Sequence, residues 1–195
     1  MRNFSYKFEY QNLEITMSIL LLNGPPFSPL FWEKVQERLS KYEQESICVN
    51  WIEHSGKFEK LMPFLLKTCN QNKCTQVVAH GLAVPLALEL AQMKPELKIT
   101  LSNGPTDHHR LFSLLSKLPK IVLHPSLSLP SLASSIAFRR LVINPYVMNR
   151  DTIALLSKDI LDNPKTRQHI QEYLKELQNW KAPKNLTSQE ISLIW

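Results

Sequence analysis

The chain has 195 residues, 44% of them hydrophobic and 21% charged, with a formal net charge of +6. That composition fits one soluble globular domain with a sizeable core and excludes an intrinsically disordered chain. The longest apolar run, residues 19–22, is too short to cross a bilayer. No signal peptide opens the sequence, so a cytoplasmic protein without a membrane partner is expected. The basic residues are scattered, Arg139 and Arg140 being the one dense pair, and no recognition motif accompanies them. A nucleic-acid partner is therefore not expected, and the excess charge reads as solvated surface. Cys48, Cys69 and Cys74 make an odd count, expected as reduced thiols acting as small buried hydrophobes. The spacing of Cys69 and Cys74 fits neither a zinc knuckle nor a redox motif. The four glycines, Gly24, Gly56, Gly81 and Gly104, stand beside 13 prolines. Each is expected where the backbone needs a positive φ or a close approach.

The elements follow in chain order. Phe4, Tyr6, Phe8 and Tyr10 alternate with polar residues, and Leu13, Ile15 and Met17 repeat the pattern, which predicts two half-buried strands. Residues 19–22 are continuously apolar, as in a strand covered on both faces. That strand ends at Asn23, Gly24, Pro25 and Pro26, a turn that neither strand nor helix can continue through. Phe31, Val35, Leu39 and Tyr42 then fall at helical spacing behind Ser28 and Pro29. Residues 47–51 read as a short strand, and Phe58, Leu61, Met62, Leu65 and Cys69 as a helical stripe. Residues 76–79 form a further strand, followed by Val84, Ala87, Leu88 and Ala91 at helical spacing. Residues 97–101 run as a strand into Ser102, Asn103, Gly104 and Pro105. Strands alternating with helices predict an α/β fold, a mostly parallel sheet with helices on both faces.

After Pro105 the rhythm breaks. Residues 106–183 read as a mostly helical lid, with stripes at Ile153, Leu156 and Ile160 and at Ile170, Tyr173, Leu174 and Leu177 covering the open mouth of the sheet. Residues 190–195 read as one more strand. The expected organisation is a core over 1–105, the lid over 106–183, and a returning core segment over 184–195.

One strand-turn-helix stands out. Ala79, His80, Gly81, Leu82 and Ala83 fill the places of Gly-x-Ser-x-Gly between a buried strand and a helix. This resembles the nucleophile elbow of the α/β-hydrolase superfamily, with alanines in place of the outer glycines. Residues 20–26 are similar to that family's strand ending in His-Gly, whose following loop supplies one oxyanion-hole amide. Phe31 and Trp32, residues 97–105 and residues 190–195 match the order of the elements that accompany it. The resemblance covers residues 4–105 and the last six, and it implies an α/β-hydrolase-like fold that is C-terminally shortened.

The departures govern the expected function. The family's serine attacks an acyl carbon, a histidine takes its proton and a carboxylate orients that histidine. Gly81 stands at the serine position and offers no nucleophile. The resemblance places the triad histidine in a loop beyond the last strand, where this chain has already ended. Loss of one triad member costs on the order of 10⁴ in rate. Glycine takes the strained elbow angle without penalty, so the geometry can persist after the chemistry is gone. The resemblance therefore implies a pseudo-hydrolase without catalytic residues. It would act as a ligand- or protein-binding module for a small apolar or acyl ligand, with Asn23, Gly24, Pro25, His80, Gly81, Leu82 and Asn103 at the site.

Two other functions remain open on the sequence. One is an active ester or thioester hydrolase using Ser102, Ser28 or a lid serine. The other is a structural subunit whose sheet edge at residues 190–195 is covered by a second copy or a partner chain. Asp107 is a candidate relic acid, or else a helix N-cap. His108 and His109 are adjacent and diverge on a helix, so they do not make a metal site. His80 is expected as a buried, hydrogen-bonded core histidine, and Glu172 and Glu176 as exposed helix surface. No cofactor or metal is expected, because no phosphate loop, Gly-x-Gly-x-x-Gly or His-Glu-x-x-His run is present.

Overall fold

A computed structural model describes residues 18–25, 27–104, 163–184, 186 and 190–194. Five strands form one sheet: β1 (Ser18–Asn23), β2 (Glu45–Cys48), β3 (Cys74–His80), β4 (Lys98–Ser102) and β5 (Ile191–Ile194), in the order β2-β1-β3-β4-β5. Every pairing is parallel. The helices are α1 (Glu33–Lys41), α2 (Trp51–His54), α3 (Phe58–Gln71), α4 (Val84–Met93) and α5 (Pro164–Asn179). A parallel sheet needs crossovers that return over its faces, and these helices supply them.

The pleat sorts the core into two clusters. Leu20, Leu22, Val77, Ala79, Ile99 and Leu101 share one face and pack with Leu61, Leu65, Leu86, Leu90, Ile170, Tyr173 and Leu177 of α3, α4 and α5. Ile19 and Leu21 point to the opposite face and meet Trp32, with Phe31, Leu39, Cys48 and Val78 around them. The all-apolar run in β1 is thus buried on both sides, as its sequence predicts.

Several local expectations change. The strand expected at residues 47–51 ends at Cys48, and Trp51 instead opens α2, where its indole N–H donates to the Asn23 carbonyl at 2.8 Å. The helix expected from Phe31 begins with a 3-10 turn over Pro29–Trp32, and only then becomes α1. Its stripe is shallow: Val35 is exposed, and Tyr42 lies past the helix end at 83% exposure. The reason is that Trp32, on the preceding turn, fills the space against β1. The stripe Ile170, Tyr173 and Leu177 lies in the main core cluster, packed on the same side of the sheet as α3 and α4. The strands expected over residues 4–17, the stripe at Ile153 to Ile160, and Asp107, His108 and His109 lie outside the described residues.

Candidate functional site

The carboxyl end of β3 carries the turn singled out in the sequence. Gly81 has φ +60 and leads through a 3-10 turn, Gly81–Ala83, into α4. A left-handed angle between strand and helix is the geometry of a nucleophile elbow, and glycine accepts it without the usual Cβ penalty. Among the described residues, a Cβ added at Gly81 would meet nothing within 4 Å. The position where an elbow presents its nucleophile therefore carries no side chain of its own and meets none of the described residues.

Two other glycines close on this turn. A Cβ on Gly24 would stand 2.4 Å from the Leu82 nitrogen and 3.0 Å from the His80 carbonyl. One on Gly104 would stand 2.4 Å from the Gly81 carbonyl and 2.2 Å from a Val84 methyl. The ends of β1, β3 and β4 thus converge because Gly24 and Gly104 lack side chains. Asn103, just before Gly104, is exposed and itself takes φ +47. The fourth glycine, Gly56, makes its close approach elsewhere, against the His169 carbonyl of α5.

The loop after Gly24 is short of backbone donors. Pro25 and Pro26 have no backbone N–H, and the Phe27 N–H donates to the Gly24 carbonyl at 3.2 Å. None of the three residues following Gly24 has a free amide to offer a developing oxyanion. Asn23 is 3% exposed and spends its side chain on the same loop: its amide donates to the Phe27 carbonyl, and the Cys48 thiol lies 3.7 Å from its oxygen.

His80 sits in an aromatic wedge. Its ring lies 4.6 Å from Phe31 at a tilt of 33°, 6.3 Å from Phe27 and 6.4 Å edge-on to Trp32. Burial among these rings lowers its pKa to about 4, so the imidazole is neutral near pH 7. The expectation of a hydrogen-bonded core histidine changes here, for Nδ1 is buried without a partner among the described residues. The Phe27 and Phe31 rings beside it have no acceptor or donor to give it. The Ser28 hydroxyl and the Trp32 indole nitrogen are also buried with no partner among those residues.

On the other side, α5 braces the turn. The Tyr173 hydroxyl donates to the Leu82 carbonyl at 2.8 Å. Its ring is fully buried, edge-on to Trp51 at 4.8 Å and stacked on Phe58 at 5.4 Å. Trp180 adds a second tie, its indole N–H donating to Glu89 of α4 at 2.7 Å. Tyr173 appears in the sequence only as one member of an apolar helical stripe, so its tie to the elbow carries no local signal.

Among the described residues no group of three or more His, Cys, Asp or Glu could hold a metal ion, and no helix is long and apolar enough to cross a membrane. No family model and no curated protein matches the chain. Solved structures do. A carboxylesterase of the thaumarchaeon Nitrososphaera gargenis is 12% identical, with a TM-score of 0.62, over 91% of this chain and 70% of that one. A thermophilic esterase from Thermogutta terrifontis is 13% identical, with a TM-score of 0.62, over 87% of this chain and 66% of its own length. The bottromycin epimerase BotH, solved with bottromycin A2, is 8% identical, with a TM-score of 0.64, over 91% and 72%. The chain has the α/β-hydrolase fold. Likeness at this level of identity establishes the architecture, and it spans only about two-thirds of those proteins.

Proposed function

We propose that this chain is an α/β-hydrolase-like protein that does not hydrolyse, and that it binds a small apolar or acyl ligand at the crevice around Gly81. The observation that carries this reading is the elbow itself: its φ of +60 is kept, while the nucleophile position is an empty glycine. The loop supports it independently. A hydrolase elbow pairs the amide after the nucleophile, here that of Leu82, with an amide from the loop after the first strand. Pro25 and Pro26 have none, and that of Phe27 is already used. Loss of one such donor costs on the order of 10²–10³ in turnover. The site has therefore lost the attacking atom and half of its charge stabilisation, while keeping an aromatic, neutral wall at Phe27, Phe31 and His80. The likeness to an epimerase supports the idea that this architecture serves chemistry other than ester hydrolysis.

The reading of an active hydrolase finds little among the described residues. The Ser28 hydroxyl is buried without a hydrogen-bond partner, so no base activates it. A serine from residues 105–162 lies outside the described set.

The test is to add p-nitrophenyl butyrate, and its non-hydrolysable amide and ketone counterparts, to the folded protein. The Leu82 amide and His80 ring resonances are followed alongside nitrophenol release. Binding predicts saturable shifts at both groups with release no faster than in buffer. Release that a single Ser→Ala change abolishes, or no shift with any of the three compounds, would overturn the reading.

A further inference from the structure

Two backbone carbonyls beside the elbow take hydrogen bonds from buried aromatic side chains, at points where helix and sheet have no donor to offer. Leu82 lies one residue before Ala83, the N-cap of α4, so the helix ladder does not reach its carbonyl. Pro85, three residues on, has no N–H with which to close a 3-10 bond on it. The Tyr173 hydroxyl of α5 supplies the donor at 2.8 Å. At the other carbonyl, pairing of β2 with β1 stops at Cys48 and Leu21, short of Asn23. There the Trp51 indole N–H of α2 donates to the Asn23 carbonyl, also at 2.8 Å.

The two donors belong to one packed unit. Their rings meet edge-on at 4.8 Å, and both side chains are fully buried. The His169 ring of α5 donates through Nδ1 to the Ile52 carbonyl of α2 at 2.7 Å, which fastens the two helices a second time. Together they hold the end of β1 and the elbow turn where these touch. Gly24 follows Asn23, and a Cβ on it would stand 2.4 Å from the Leu82 nitrogen.

We propose that Tyr173 and Trp51 are positioning residues of the ligand site, a pair that sets the Leu82 amide and the end of β1 in their binding arrangement. The proposal rests on the reading that the crevice around Gly81 binds a ligand. Both residues act through the peptides they hold. The glycines beside those peptides are what make a clamp necessary, because glycine has the most backbone freedom to lose. At Gly81 no Cβ restricts the left-handed angle from which the turn departs. Without the Tyr173 donor the turn Gly81–Ala83 has other arrangements open to it, in which the Leu82 carbonyl finds water. Only a fraction of the molecules then present the Leu82 amide, and the apparent affinity falls by that fraction.

The folded full chain is titrated with p-nitrophenyl butyrate and its ketone and amide counterparts while the Leu82 amide resonance is followed. Tyr173→Phe should weaken binding on the order of tenfold, the loss that a competent turn populated one-tenth of the time would give. It should also move the Leu82 carbonyl carbon resonance. Trp51→benzothienylalanine, which keeps the bicyclic shape without the N–H, should weaken binding too and move the Asn23 carbonyl resonance. Ser18→Ala is the control for a loss of stability alone. It removes the hydroxyl that donates to the Asn72 carbonyl at the opposite end of β1, so it should lower the urea midpoint and leave the affinity unchanged. A native chain that responds to none of the three compounds would overturn the ligand-site reading and this proposal with it. Native binding that stays equally tight in Tyr173→Phe and in the Trp51 variant would overturn the proposal alone, as would an equal loss of affinity in Ser18→Ala. If Tyr173→Phe does not fold, the shape-conserving Trp51 variant decides.

Discussion

The convergence of three glycines on the elbow can be tested by adding one methyl group at a time. In Gly81→Ala the new Cβ meets none of the described residues within 4 Å, so its cost is conformational. A left-handed angle costs a non-glycine residue about 1–2 kcal/mol, and the stiffer unfolded chain returns about 0.4–1 kcal/mol. The net loss is about 1 kcal/mol, or about 2–4 °C in Tm for a chain of this length. In Gly24→Ala the Cβ would stand 2.4 Å from the Leu82 nitrogen and 3.0 Å from the His80 carbonyl. Both are backbone atoms that cannot rotate away, so strands must part. Overpacking of that kind costs about 3 kcal/mol, at the upper end of the usual range. Gly104→Ala meets the Gly81 carbonyl and a Val84 methyl and falls with Gly24→Ala. Urea unfolding followed by circular dichroism gives the order directly. Equal losses at Gly81 and Gly24, or a Gly24→Ala chain as stable as the native one, would refute the arrangement of β1, β3 and β4.

Three further outcomes follow from the same site. His80 titrates at about 4 when folded and near 6.5 when unfolded, so its stabilising effect is full above about pH 6.5 and is lost as the pH falls towards 4. Between pH 7 and pH 5 the loss is on the order of 1–2 kcal/mol after allowance for partial solvent access, and His80→Gln should flatten that slope. An unchanged slope in the variant would mean that the wedge does not desolvate the ring. Tyr173→Phe leaves the Leu82 carbonyl without its donor and should cost about 1–2 kcal/mol, read as a shifted urea midpoint. Gly81→Ser, which fits the open space, should fold with a loss near that of Gly81→Ala and still release no nitrophenol from p-nitrophenyl acetate. Turnover in that variant would show that the loop holds an oxyanion without an amide from residues 25–27.

Much of the architecture was legible because it rests on periodicity. The stripe Leu61, Met62, Leu65 and Cys69 is buried in α3, and Val84, Ala87, Leu88 and Ala91 are buried in α4, as their spacing predicts. The scarcity of glycine pointed to the site, since Gly24, Gly81 and Gly104 do occupy close or left-handed positions. Three-dimensional features were not legible. Trp51 reads as the end of an apolar strand, but it turns away to reach the Asn23 carbonyl, a partner 28 residues distant. Val35 and Tyr42 keep helical spacing yet stay largely exposed, because Trp32 has already filled the groove over Ile19 and Leu21. The left-handed turn at Lys73, between α3 and β3, has no strong local code. The loop that lacks amides was visible in the letters Pro25 and Pro26, but its meaning needed the hydrogen bond of Phe27.

The claim at the centre of this account is that the elbow keeps its shape without a reactive serine. A fluorophosphonate probe, which modifies only activated serine nucleophiles, tests it on the intact chain. The mass should be unchanged after prolonged incubation with the folded protein. A gain of one probe per chain, mapped to Ser28, Ser102 or any other serine and lost on its change to alanine, would contradict it.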